Sequence, residues 1–167
     1  MSWLFEGKTY TLFLDLDGVL ADFDAGVRKI LGKSPSELPE KEMWPILART
    51  KNFYANLDWM PDGKEFFKKM RNENPVIVTG VPWGNWADAQ KIAWCKRELG
   101  HEVRVITCKS KEKGRAAMDF IKDGEIPVLV DDRIKAREGW LDIGGIFILH
   151  TGAKTSLEEL TQLGFDS

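Results

Sequence analysis

The sequence has 167 residues, 43% of them hydrophobic and 30% charged, which fits one soluble globular domain with a sizeable buried core. Its 24 basic and 26 acidic residues leave a net charge of −2, which argues against a nucleic-acid binder working through bulk charge but not against a small anionic substrate. Two cysteines, Cys95 and Cys108, cannot build a disulfide framework and point to a reducing cytoplasm, and no apolar run reaches the ~20 residues of a membrane span.

The opening Met1-Ser-Trp-Leu-Phe-Glu has neither the cationic nor the long apolar region of a secretory leader. The first strong signal is Thr9-Tyr-Thr-Leu-Phe-Leu-Asp-Leu, β-branched, aromatic and apolar on both faces, which predicts a buried strand. The long stretch up to Pro75 reads as helical, with candidate helices at 24–31, 40–49 and 53–57. An inserted helical subdomain fits it better than a structureless loop, which would be too long for a compact domain. A helix over 61–73 opens with Pro61, gathers Phe66, Phe67 and Met70 on one side and stops at Asn74-Pro75.

Strand Val76-Ile-Val-Thr follows, then a helix over 85–99 that ends at Gly100. Strand Val103-Arg-Val-Ile-Thr leads to a charged helix over 111–122, and strand Pro127-Val-Leu-Val-Asp to another over 134–141. Gly145-Ile-Phe-Ile-Leu-His is the fifth strand, and Thr155-Ser-Leu-Glu-Glu-Leu has the pattern of a capped terminal helix. There is no internal repeat and no low-complexity tract. Strands alternating with helices of this length predict a parallel sheet covered on both faces. Seven tryptophans are many for this length, and Trp44, Trp59, Trp83 and Trp86 are either core or a platform for a flat ligand.

The chemistry-bearing residues fall just past strand ends: Asp15 and Asp17 with Gly18 for a turn, Thr79 and Gly80, and Asp131 and Asp132. In an open parallel sheet the carboxyl ends of the strands line the ligand crevice, so these residues converge there. Carboxylates crowded together repel unless a cation sits among them, and hard oxygen ligands beside a substrate anion suit Mg²⁺. An EF-hand loop needs Gly sixth and a helix before it, whereas Gly18 is fourth in Asp15-Leu-Asp-Gly and follows a strand. A phospho-receiver domain would carry its acidic pair after the first strand and its acceptor after the third, where this chain has Thr107-Cys108.

Four stretches in order, Asp15-Leu-Asp-Gly-Val-Leu-Ala-Asp, Val76-Ile-Val-Thr-Gly, a late lysine, and Leu129-Val-Asp-Asp-Arg, resemble the haloacid dehalogenase superfamily of phosphotransferases. Within it, Gly18-Val-Leu-Ala-Asp-Phe, Leu57-Asp-Trp-Met-Pro and Lys91-Ile-Ala-Trp ahead of Leu99-Gly100 are similar to the 5′(3′)-deoxyribonucleotidases and their bacterial and phage-type relatives. The resemblance implies a Rossmann-like α/β core, residues 1–22 and 75–167, with a small helical cap, 23–74, inserted after the first strand. It implies a Mg²⁺-dependent phosphomonoester hydrolase acting on a nucleoside monophosphate, without membrane or bulk nucleic-acid partners, and it admits a homodimer. The alternatives are a phosphatase for another small ester or a nucleic-acid end, and a non-catalytic nucleotide-binding protein.

The implied roles are Asp15 as nucleophile and Asp17 as general acid and base, with Thr79 and Gly80 on the phosphoryl oxygens. Mg²⁺ would bind Asp15, the Asp17 carbonyl and Asp132, with Asp131 beside it. The late lysine is Lys109, Lys111 or Lys113: the relatives' pattern favours Lys113, while closeness to the strand end favours Lys109. Lys91 matches a lysine near the substrate. Phe23, Phe53 and Tyr54 match cap aromatics of the base pocket, with the cap's own small core as the bland reading. The chain departs from the nucleotidases after Thr79, where Gly80-Val81-Pro82 replaces a Ser-Pro pair and Trp83 and Trp86 follow.

Overall fold

The computed structural model describes residues 9–165; the opening hexapeptide read above as no leader lies outside them. Five strands form one parallel sheet: β1 (Thr9–Leu14), β2 (Val76–Gly80), β3 (Val105–Cys108), β4 (Glu125–Asp131) and β5 (Ile146–Leu149). Their order is β3-β2-β1-β4-β5, with every neighbouring pair parallel. This is the α/β, Rossmann-like sheet the sequence predicts. Register sets Phe13 beside Val76 and Leu129, so β1 sits at the centre and its carboxyl end is flanked by those of β2 and β4.

Side chains alternate across the sheet. Leu12, Leu14, Ile77, Val128 and Val130 face one layer, with α3 (Gly63–Met70), α4 (Asp88–Glu98) and α7 (Ala153–Leu163) packed on it. Phe13, Val76, Val78 and Leu129 face the other, under α5 (Lys113–Ala117) and α6 (Arg137–Asp142), where Trp140 meets Phe13 edge-on. Both faces of every central strand are therefore dry, which explains their unbroken apolar runs. Among the described residues, no helix is long and apolar enough to cross a membrane.

Between β1 and β2 lie α1 (Phe23–Leu31), α2 (Glu40–Arg49) and α3. Asp22 caps α1 by accepting from the Ala25 N–H, and Gly32 ends it in the left-handed region. The insertion makes no separate core: Val27, Met43, Leu47 and Leu57 join the layer that covers Leu12 and Leu14. Within 23–74, α3 belongs to the sheet's cover, packed beside α7 with Phe66, Phe67 and Met70 buried.

The structure corrects several boundaries. Residues 53–57 are not a helix but a run of turns, because Asn52 takes a left-handed φ of 56°. The helix expected over 111–122 splits into a five-residue α5 between two 3₁₀ turns. The helix expected over 85–99 begins at Asp88 rather than 85, with Gly84 turning the preceding loop at φ 87°. The terminal helix starts two residues before Thr155, and Thr155 is not its cap. The Ala153 N–H instead donates to the Asp62 carboxylate at 2.8 Å, a cap delivered from a distant part of the chain.

Candidate active site

The chain leaves β1 with Asp15, whose N–H still donates to the Val130 carbonyl on β4. The backbone then tightens: the Leu16 carbonyl accepts from the N–H groups of Val19, Leu20 and Ala21, and Gly18 donates to the Ala21 carbonyl. Gly18 adopts φ 82°, and a Cβ there would lie 2.0 Å from Oδ2 of Asp132. Glycine is required at this position both by the turn and by the approach of that carboxylate. Asp15 and Asp17 are thus presented from one tight turn at the middle of the sheet's carboxyl edge.

On the β4 side, Asp15, Asp131 and Asp132 bring carboxylate oxygens within 4.8 Å of one another. Lys113 threads into this group, donating to Asp15 Oδ1 at 2.9 Å and Asp131 Oδ2 at 2.8 Å, and it is 2% exposed. The other Asp131 oxygen accepts from the Arg133 N–H. Of the three lysines the sequence left open, Lys113 alone reaches Asp15. Lys111 is exposed, and Lys109 donates to the carbonyls of Val81 and Pro82.

On the β2 side, Lys91 rises from α4, 1% exposed. Its ammonium donates to Asp17 Oδ2 at 2.7 Å, Thr79 Oγ1 at 3.0 Å and the Gly80 carbonyl at 2.6 Å. It also lies 4.4 Å from the centre of the Tyr54 ring. Among the described residues, Asp17 Oδ1 is buried with no hydrogen-bond partner. Thr79 is fully buried and caps no helix. A Cβ on Gly80 would meet Ser110 Oγ at 2.2 Å, so a side chain there would force that hydroxyl to turn away.

The two carboxylates of the turn are electrostatically separated. Burial raises Asp15, but the charge and hydrogen bond of Lys113, with hydrogen bonding from Asp131 and Asp132, outweigh it and hold the carboxyl below its ordinary range. Burial dominates at Asp17 and, with the neighbouring Asp15 charge, raises it despite Lys91. Burial and the Asp15 charge push Asp131 up to about 7 and Asp132 up to about 8. Three carboxylates around a single ammonium would, if all were ionised, leave an excess of negative charge in a buried site. That excess fits a divalent cation with oxygen ligands, and Asp15, Asp131 and Asp132 are the residues that could hold one.

The structure does not give Phe23, Phe53 and Tyr54 an open face. They are 6%, 4% and 2% exposed and pack on one another at 5.1–5.9 Å between ring centres, with Trp44 against Phe23 and Trp86 against Tyr54. Within this structure the three rings close on one another as part of the same buried layer that covers Leu12 and Leu14. Sequence reasoning did not anticipate the Lys91–Tyr54 contact, the Gly18–Asp132 approach or the seating of Lys109 at 4.7 Å over the Trp83 ring. Only the spacing of Gly18 from Asp15 carried any signal of these.

No family model matches the sequence, and no curated protein does. Solved structures do. The chain is similar to a hydrolase from Streptococcus pneumoniae, with a TM-score of 0.58 and 12% identity over 92% of this chain and 99% of that one. It is similar to a haloacid dehalogenase-like family hydrolase from the same organism, with a TM-score of 0.55 and 13% identity over 91% and 98%. A phosphonoacetaldehyde hydrolase-like protein from Oleispira antarctica gives 0.53 and 15% over 84% and 72%. Identities this low carry the fold: the chain has the fold of the haloacid dehalogenase-like hydrolases.

Proposed function

We propose that this protein is a Mg²⁺-dependent phosphomonoester hydrolase acting through an aspartyl phosphate on Asp15, with a nucleoside monophosphate, preferably a deoxynucleotide, as substrate. The observation that supports it best is the division of labour between two carboxylates on one turn. Asp15, held ionised by Lys113, is suited to attack; Asp17, raised by burial and with one oxygen unpartnered, is suited to carry a proton.

In the first step an Asp15 oxygen bonds to phosphorus while the phosphorus–oxygen bond to the leaving group breaks. The Asp17 proton passes to the departing oxygen. In the second step water attacks the aspartyl phosphate, Asp17 takes back a proton, and phosphate leaves with the Asp15 carboxylate restored. Thr79, Gly80 and Lys91 line the side where the phosphoryl oxygens would lie, and Lys91 would shift hydrogen bonds from protein acceptors to those oxygens. Asp15, the Asp17 carbonyl and Asp132, with Asp131 beside them, would hold Mg²⁺, which supplies charge neutralisation at the phosphoryl group. The helical insertion within 23–74 serves as the cap that keeps bulk water out. The reading also has the protein working in a reducing cytoplasm, where two cysteines stay as thiols.

The test is phosphate release with Mg²⁺ across deoxy- and ribonucleoside 5′- and 3′-monophosphates, sugar phosphates and an aryl phosphate. The expected result is turnover concentrated on a few nucleotides. Turnover of the aryl phosphate alone would retain the catalytic reading and remove the nucleotide. Folded protein with Mg²⁺ that hydrolyses none of the panel would overturn the proposal in favour of a binding protein.

A further inference from the structure

The loop that follows β2 has an aromatic side chain which neither the fold nor the proposed chemistry uses. Trp83 is 88% exposed, more than any other large hydrophobic residue among those described; Ile134 is next at 65%. A single exposed hydrophobic residue is ordinary at a protein surface, so it is the setting of this indole that gives it meaning. Its surroundings are organised. The Lys109 ammonium sits 4.7 Å from the ring centre and is itself held by the carbonyls of Val81 and Pro82. The Val81 N–H donates to the Cys108 carbonyl at 2.9 Å, which ties the base of the loop to the end of β3.

The loop is also anchored to the site at one end and to the insertion at the other. It begins at Gly80, whose carbonyl shares the Lys91 ammonium with Asp17. It ends with Trp86 against Tyr54, where Gln90 joins the Tyr54 N–H to the Trp86 carbonyl. Trp83 is three residues beyond Gly80, so its backbone lies within roughly 10 Å of that carbonyl. The base of a nucleotide lies within that reach of its own phosphate. The aromatics of the insertion cannot serve, since they are closed on one another.

We propose that Trp83, braced by Lys109, is the platform on which a flat aromatic leaving group of the substrate stacks. The substrate class is then a phosphate ester carrying a nucleobase or an aryl ring. The inference rests on the phosphatase reading for the ester and on the loop alone for the stacking.

The experiment separates the two. Wild-type protein is titrated with deoxyadenosine, which carries no phosphate, and with deoxyribose 5-phosphate, which carries no base, while the indole N–H resonance of Trp83 is followed, identified by its loss in Trp83→Phe. A saturating shift with deoxyadenosine and none with the sugar phosphate is expected. A motionless Trp83 signal, or equal shifts with both, would overturn the platform whatever the enzyme hydrolyses. In kinetics, the ratio of kcat/KM for deoxyadenosine monophosphate to that for glycerol phosphate should fall about tenfold in Trp83→Ala and be largely kept in Trp83→Phe. An unchanged ratio in Trp83→Ala would also overturn it. If no ester is hydrolysed, the phosphatase reading fails, and the titration still decides the platform.

Discussion

The two sides of the candidate site contain one buried lysine each and use it in opposite ways. On the β4 side, Lys113 faces three carboxylates, Asp15, Asp131 and Asp132, and bonds two of them. On the β2 side, Lys91 faces one carboxylate, a hydroxyl, a carbonyl and the face of a tyrosine ring. The first side is short of positive charge and the second is not. A cation gains most from entering the first, and an anion from approaching the second. Asp15 and Asp17 sit on the boundary, two residues apart: at Asp15 the neighbouring Lys113 outweighs burial and lowers the carboxyl, whereas at Asp17 burial outweighs Lys91 and raises it.

This comparison can be broken in three places. The largest effect is expected from Asp15→Asn, which removes the attacking carboxylate from the boundary. Phosphate release should fall by about a thousandfold or more while the circular dichroism spectrum is retained. An active, folded Asp15→Asn protein would end the covalent mechanism.

The next effect tests the charge asymmetry itself. Lys113→Met strands buried carboxylates and should cost about 3–5 kcal/mol in urea unfolding without Mg²⁺. Added Mg²⁺ should recover a large part of that loss, because it supplies the missing positive charge. Lys91→Met strands a single, partly exposed Asp17 and should show no comparable recovery. Equal responses to Mg²⁺ in the two variants would mean that the two sides are electrostatically alike.

The smallest effect sharpens the boundary between core and site. Phe53→Leu keeps the shared core apolar, and a loss of about 1 kcal/mol is expected. Its substrate preference should follow wild type, since the ring is enclosed by Phe23 and Tyr54. A selective loss of activity towards nucleotides, measured against glycerol phosphate, would show that Phe53 reaches substrate and that the enclosed arrangement opens.

Most of the site's carboxylates were legible in the sequence because their placement is local. A buried strand followed by Asp15-Leu-Asp-Gly can only deliver its acids to a strand end, and the same holds for Asp131 and Asp132 after β4. The lysine choice was not legible. Lys109, Lys111 and Lys113 share one short segment, and the side chain that points inward depends on how a 3₁₀ turn at 110–112 hands over to α5. The turns at 53–57 were misread for a related reason: the apolar spacing resembles a helix, while Asn52 in the left-handed region redirects the backbone. The cap of α7 was misplaced because Asp62 supplies it from 91 residues away.

By itself the sequence determined the strand and helix alternation, hence the parallel sheet, and the positions of Asp15, Asp17, Thr79, Asp131 and Asp132 at its carboxyl edge. These follow from periodicities and turns that span a few residues each. The tertiary structure alone decided which charge meets which. Lys113 reaches Asp15 across 98 residues and Lys91 reaches Asp17 across 74. It also decided which aromatics close into core and which, like Trp83, remain open. Pairings over such separations depend on how layers pack against the sheet, and no local pattern in the chain encodes that packing.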